Sequence, residues 1–427
     1  MNAKRLFTVV AVVVVTTSTF AQNENKFRIY GFADMAITKY FPKEEAFSRG
    51  LDLMDEKTNF GLDHLNLYTS FQPNDRVRFL SELSFQDKPV NYLNQPGFRF
   101  RMGGMDTVYT EPVVAEENKI MKGITIYEWG SFSVERALMS VNVNRYFNFS
   151  FGKFITPAGI WNVDHGSPVI MTVSQPTQYS HAEIYPKSQL GIMNEGTVFL
   201  GDADLAYSIY ASSGRGNQSL YTPTDVSAGG QLRLRLPALD ELTFGLSGYT
   251  GKVNKKVRYM VMTMDPATFE MKTSFEDVSQ MVYRENVYGF DTRLSKWNAT
   301  LQAELNYQQV TDYLNDDKKS GKFATYVIGS YNVFQNEAVR ITPYAYWEMM
   351  RYIDPEDNPQ NAASIAEMGA DFLTEGYYKF MGGINFRIFT NYGIKLEYNF
   401  TRLDMPQPDP DKLNDIPGIS SQFYVAF

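Results

Sequence analysis

The stretch "YGIKLEYNFT", Tyr392 to Thr401, alternates without a fault. Ile394, Leu396, Tyr398 and Phe400 share one face, and Lys395, Glu397, Asn399 and Thr401 share the other. Successive side chains of a β-strand point to opposite faces, so this is a strand with one apolar and one polar side. Two settings suit such a strand: a soluble sandwich between core and solvent, or a barrel between lipid outside and water inside. The choice depends on how often the pattern returns and on what connects it.

It returns repeatedly. In "HLNLYTSF", Leu65, Leu67, Thr69 and Phe71 oppose Asn66, Tyr68 and Ser70. In "GGQLRLRLP", Leu232, Leu234 and Leu236 oppose Gln231, Arg233 and Arg235. In "TLQAELNYQ", Leu301, Ala303, Leu305 and Tyr307 oppose Gln302, Glu304, Asn306 and Gln308. Very short connections fall near Pro73-Asn74, Asn144-Arg145, Gly201-Asp202, Ala238-Leu239-Asp240, Lys296-Trp297-Asn298, Gln335-Asn336-Glu337 and Thr390-Asn391. Long polar ones alternate with them, over 41–57, 88–123, 155–188, 214–227, 254–280, 314–320, 353–374 and 405–418. Short periplasmic turns and long extracellular loops are the signature of an outer-membrane barrel, and the segments between them number about sixteen, the even count such barrels require. The expected fold class is therefore all-β, a transmembrane antiparallel β-barrel.

Composition agrees. Aromatic residues make up 15% of the chain, with 28 Tyr and 31 Phe, yet no run of apolar residues is long enough for a spanning helix. That combination suits a wall with a lipid-facing outside and a wet inside. With no Cys, disulfides, thiol chemistry and Cys-ligated metal drop out together. A net charge of −8 argues against a nucleic-acid partner. At the N-terminus, Lys4 and Arg5 precede the apolar run "LFTVVAVVVV" and a cleavage-like Thr19-Phe20-Ala21. We expect residues 1–21 to be a signal peptide and 22–427 a single barrel domain. The final "SSQFYVAF" sets Phe423, Val425 and Phe427 on one face, similar to the terminal signal read by the barrel assembly machinery.

Three segments carry a family resemblance: the opening "KFRIYGFADMAITKY" (26–40), "FGKFITPAGIWN" (151–162) and the closing "FYVAF" (423–427). They are similar to Gram-negative porins, and "GKF-x-TP-x-G-x-x-N" from Gly152 to Asn162 resembles the phosphate-selective porin type and its uncharacterised relatives. The resemblance implies passive diffusion of small hydrophilic solutes or ions, homotrimers, and contact with outer-membrane lipid and lipopolysaccharide. It also implies that the connection between the fifth and sixth strands, here 155–188, folds inward and narrows the channel. Anion-selective relatives place Arg and Lys there, whereas this loop sets Lys187 beside Asp164 and Glu183. Phosphate selectivity is therefore not carried over.

The alternation turns Arg76, Arg78, Arg136, Arg233, Arg235, Arg293, Arg340, Arg387 and Lys395 inward, against Glu82, Asp291, Glu304, Glu348 and Glu397. One reading is a transverse field that tunes ion preference; the other is a set of paired, solvated wall residues. The inward loop carries Trp161, Asn162, Asp164, His165, Gln178, Tyr179, His181, Glu183 and Lys187. Trp161 and Tyr179 would offer ring faces to a polar solute, with the acids and amides supplying hydrogen bonds. A metal site of His165, His181, Asp164 and Glu183 is a rival, though the histidine separation fixes no geometry. The third reading is that these groups tie the loop to the wall.

The acidic loops "DPEDNPQN" (354–361) and "DMPQPDPDKLND" (404–415) offer carboxylates to divalent cations or simply to water. The methionine-rich segment around Asp265-Pro266 reads as a tall hairpin, and Pro343 within an apolar strand suggests a local bulge. No nucleophile elbow, zinc-protease pair or phosphate loop is present, so neither enzyme activity nor a cofactor is expected. An enzyme would need His64, His165 or His181. The rival to a channel is a non-channel surface protein, an adhesin or a scaffold, that uses its tall loops for contact.

Overall fold

The computed structural model describes residues 26–41, 58–90, 98–102, 105–109, 128–164, 166–180, 184–215, 225–239, 241–264, 271–361, 375–404 and 415–427. Residues 1–21, and with them the expected signal peptide, lie outside this set. The wall is a closed antiparallel barrel of 16 strands. The first eight are β1 (Phe27–Tyr40), β2 (Asn59–Asn74), β3 (Val77–Val90), β4 (Glu128–Asn142), β5 (Asn148–Ile155), β6 (Ser188–Leu200), β7 (Ala203–Ser212) and β8 (Ser227–Leu236). The second eight are β9 (Leu242–Met264), β10 (Met271–Lys296), β11 (Ala299–Asp312), β12 (Lys318–Tyr331), β13 (Val339–Ile353), β14 (Gly376–Ile388), β15 (Tyr392–Asp404) and β16 (Asp415–Ala426).

Each strand pairs with its sequence neighbours, and β1 pairs with β16 from Phe32 opposite Ala426 to Tyr40 opposite Gly418. Two backbone bonds between Gly31 and Phe427, at 2.8 and 2.9 Å, complete that seam. Closure removes the unpaired edge that an apolar environment would penalise.

The two faces sort as the alternation demands. Leu232, Leu246, Leu301, Leu396 and Ile209 stand exposed on the outside, while Asn66, Glu82, Ser150, Asp291, Glu304, Lys395 and Gln422 are buried inside. An apolar exterior round the whole circumference is what a bilayer solvates. Exposed aromatics gather near the short turns, among them Phe71, Phe79, Phe199, Trp297, Phe389, Tyr392 and Phe427, as an interfacial girdle.

The short connections, 75–76, 143–147, 201–202, 237–239 with 241, 297–298, 332–338 and 389–391, all lie at one end. Three are built alike. Asn74 Oδ1 accepts the amides of Arg76 and Val77, Asn144 Oδ1 those of Tyr146 and Phe147, and Asn336 Oδ1 those of Ala338 and Val339, all at 2.7–3.0 Å. An Asn side chain that mimics the backbone in this way lets the chain reverse in very few residues.

Three local expectations change. Arg76 lies in the 75–76 turn at the barrel mouth, because β2 continues through a bulge between Phe71 and Asn74 and the turn falls two residues later than expected. Pro343 causes no bulge: the β13–β14 register runs unbroken through Pro343 opposite Ile384. On its other side the β12 ladder stops at Tyr344, and the short piece Phe334–Gln335 pairs only with Ile341 and Arg340. Proline therefore occupies a gap in pairing where a donor is dispensable. The methionine segment is a strand hairpin, with β9 and β10 pairing as far as Met264 opposite Met271. Within the long connection after β3, a small hairpin (Phe98–Met102 with Met105–Tyr109) adds in parallel to Met260–Met264.

Candidate functional site

The connection between β5 and β6 lies inside the barrel. Its neck is made by the residues of the "GKF-x-TP-x-G-x-x-N" segment. Thr156 donates its amide to the Lys187 carbonyl at 3.1 Å and its hydroxyl to that of Pro186 at 2.5 Å. Asn162 Nδ2 donates to the carbonyls of Thr156 (2.7 Å) and Lys187 (3.3 Å), and Gln189 Nε2 donates to the Thr156 hydroxyl at 2.8 Å. Pro157 then ends the ladder. Gly159 has φ +58, and a Cβ there would fall 2.5 Å from Glu304 Oε2. Only glycine meets both demands at this position.

Beyond the neck, three inward carboxylates hold the loop. Glu304 of β11 accepts the amides of Ile160 (2.6 Å) and Trp161 (3.1 Å), the hydroxyl of Tyr326 (2.7 Å) and that of Tyr179. Glu397 of β15 accepts the Val173 amide (3.0 Å), the Ser174 hydroxyl (2.7 Å) and the Tyr344 hydroxyl (2.8 Å). Glu348 of β13 accepts the Thr177 amide (2.7 Å), which opens the single helical turn Thr177–Ser180, and the hydroxyls of Tyr346 and Tyr377, both at 2.8 Å. Each carboxylate thus meets loop amides from one side and wall tyrosines from the other. Hydrogen bonds to an ionised acceptor are the strong kind, and here they replace the water these groups give up.

Cations do the converse for carbonyls. Lys395 Nζ donates to Ser167 O (2.8 Å) and Thr172 O (2.9 Å), Arg387 to Pro168 O (2.5 Å) and Arg233 to Gly159 O (2.8 Å). Apolar packing completes the seal. Trp161 and Ile170 pack with Tyr326, Ile328, Tyr344, Tyr346 and Met381, and Phe154, Ala158, Ile184 and Tyr185 with Tyr210, Tyr249, Val287 and Met350. Fully burying a side chain of this size is worth roughly 2 kcal/mol.

The sequence-derived site residues divide accordingly. Trp161 is buried edge-on to Tyr326, with ring centroids 6.5 Å apart, so its ring packs on the wall. Tyr179 donates to Glu304, and burial followed by that charge pushes its phenol well above the ordinary value. Lys187 pairs at 3.1 Å with Glu135, the extra residue at a bulge in β4. Asp164 alone of the described members of that set is exposed and faces open lumen. His165, His181 and Glu183 lie outside the described residues. No cluster of three metal-ligating side chains occurs among the described residues. His64 Nδ1 lies 3.1 Å from Asp34 Oδ2, and Ser167 donates to the same carboxylate.

Among the wall charges, Arg136 pairs with Glu82 at 2.5 Å, and Arg78 Nε donates to Ser70 at 3.2 Å. Arg340 stands opposite Arg387 in the β13–β14 register. The remaining arginines line a cavity of about 290 Å³ on the short-turn side of the loop. The registers place Arg233, Gly245 and Asp291 in one row across β8, β9 and β10, and Arg235, Thr243 and Arg293 in the next. Arg233 approaches Asp291 Oδ1 at 3.6 Å over the bare Gly245, and Arg235 Nε lies 3.4 Å from Asp204 Oδ2. Arg293 and Asp164 also line a second cavity of about 110 Å³, together with Trp161 and Gln302. Sequence reasoning missed the wall tyrosines. Their signal was present in "YAYWE", where Tyr344, Tyr346 and Glu348 share the inward parity.

No protein-family model and no curated protein sequence matches the chain. Among solved structures, OprB of Pseudomonas putida at high pH is similar over 96% of both chains, at 9% identity and a TM-score of 0.55. The anion-selective porin from Comamonas acidovorans matches over 94% of this chain and 99% of its own, at 8% identity and a TM-score of 0.54. The outer membrane channel DcaP of Acinetobacter baumannii matches over 94% and 97%, at 11% identity and a TM-score of 0.51. At such identities the likeness is one of fold, and that fold is the outer-membrane β-barrel.

Proposed function

We propose that this protein is a passive channel for small hydrophilic solutes or ions, with its lumen narrowed by the loop between β5 and β6. The observation that supports this best is the state of the lumen arginines: Arg235 keeps 55% and Arg233 30% of its side chain exposed, although both point into the barrel. A plugged interior would leave such groups no accessible surface; a wet one solvates them even beside their carboxylate partners. Phosphate preference is not part of the proposal, because Lys187, the described cation of the loop, is paired with Glu135. Nor is catalysis: Asp34 separates His64 from Ser167, which is not a nucleophile–base arrangement. Homotrimeric assembly, implied by the porin resemblance, belongs to the same proposal and is checked by sedimentation in detergent.

Discrete conductance steps from purified protein in a planar bilayer are the expected result, and a silent barrel would refute the channel. Under a salt gradient, Arg235→Ala and Arg293→Ala should move the reversal potential towards cation preference. One observation favours a surface-contact role instead. The β9–β10 hairpin continues roughly 40 Å beyond the last β10–β11 pair, Tyr283 opposite Asp312. If the bilayer stays silent, binding assays should target that hairpin.

A further inference from the structure

The two cross-strand rows lining the larger cavity differ in what they lack. Asp291 is 1% exposed, and neither carboxylate oxygen accepts a hydrogen bond among the described residues; the Arg233 contact, at 3.6 Å, is an ion pair without one. Arg233 Nε is likewise buried without a partner. A buried carboxylate with both oxygens unmet is costly, and a donor entering from the cavity that Asp291 lines would relieve that cost. One row towards the turns, Arg235 and Arg293 flank Thr243. Arg235 has Asp204 beside it, and Arg293 has no carboxylate partner among the described residues. The cavity therefore presents an unmet acceptor beside an unmet donor, and guanidinium groups one row below.

From this arrangement we infer that the cavity is a binding station for short zwitterionic peptides, with the ammonium on Asp291, the peptide carbonyl on Arg233 Nε, and the carboxylate on Arg293 and Arg235. Spacing supports the assignment. Asp291 and Arg293 are two residues apart on one face of β10, which is about 6.6 Å. An extended dipeptide spans at most about 7 Å. An ammonium brings three donors and no acceptor, so it suits a buried carboxylate whose two oxygens accept no hydrogen bond. A guanidinium fork suits the carboxylate at the other end. Gly245 makes room for the Asp291 carboxylate itself: a Cβ there would fall 2.0 Å from Asp291 Oδ2. The inference deepens the channel reading by naming a solute class, and it rests on that reading only for transport.

The test uses the full-length protein in detergent micelles, titrated calorimetrically with glycylglycine, acetate and ethylammonium, alongside bilayer recordings of the same preparation. Glycylglycine should bind, and acetate and ethylammonium should bind at least about tenfold more weakly, since each retains only one of the two charge-assisted contacts. Asp291→Asn, Arg293→Gln and Gly245→Ala should each weaken glycylglycine by about tenfold. Arg293→Gln replaces a residue on the cavity surface and so keeps the test available if a buried variant misfolds. Equal binding of acetate would make this a simple anion site and overturn the proposal. So would no binding of glycylglycine, or binding unchanged in Arg293→Gln. Absent conductance steps would refute the channel without touching the calorimetric result.

Discussion

Glu304 and Asp291 are both inward carboxylates, both about 1% exposed, and they face each other across the β10–β11 pair. Their surroundings are opposite. Glu304 accepts two loop amides and two tyrosine hydroxyls, whereas Asp291 accepts none among the described residues. The wall from β11 to β15 uses its charges to hold the loop, whereas on β8 and β10 Arg235, Asp291 and Arg293 face the cavity and Arg233 both faces it and holds the Gly159 carbonyl. A charged residue inside a barrel is therefore not by itself a pore residue; its role depends on whether the loop supplies its partners.

Breaking the latched side should give the largest effect. Glu304→Ala strands four buried donors, at about 1–3 kcal/mol for each unmet group, so we expect the loop to lose more than about 3 kcal/mol of stability. Hydrogen exchange at the Ile160 and Trp161 amides reads this directly, and unchanged protection would contradict the latch. Lys395→Met leaves the Ser167 and Thr172 carbonyls unmet, and roughly 2 kcal/mol should be lost, seen as faster exchange across residues 166–174. Tyr344→Phe takes one of three donors from Glu397 and should cost about 1 kcal/mol in a denaturant titration. On the open side, Arg235→Ala removes a half-exposed ion pair and should change stability by less than about 1 kcal/mol while still shifting ion selectivity. A large loss of stability there would erase the distinction between the two walls.

Much of this was legible in the chain. The inward parity of Arg233, Asp291, Glu304, Glu348, Lys395 and Glu397 follows from alternation alone, and each faces the lumen. The short turns were legible too, because Asn74, Asn144 and Asn336 close them locally. The boundaries slipped only where local signals mislead. Arg76 keeps the strand parity but lies in a turn, and Pro343 looks like a ladder defect but falls beside a pairing gap. The roles of Trp161 and Tyr179 were not legible, since the same residue types serve equally well as solute platforms and as packing.

The sequence by itself determined the two-faced strands and the alternation of short and long connections, because both rest on period and on local turn chemistry; the inward course of the 155–188 connection was implied by the porin resemblance. Only the tertiary structure decided which charges are occupied. Ile160 meets Glu304 across 144 residues and Lys395 meets Ser167 across 228, and such contacts exist only after the ends of the sheet have joined. Closure brings loop amides onto Glu304, Glu348 and Glu397 and leaves Asp291 without one. That placement, and not residue type, separates the carboxylates that hold the loop from the one that waits for a ligand.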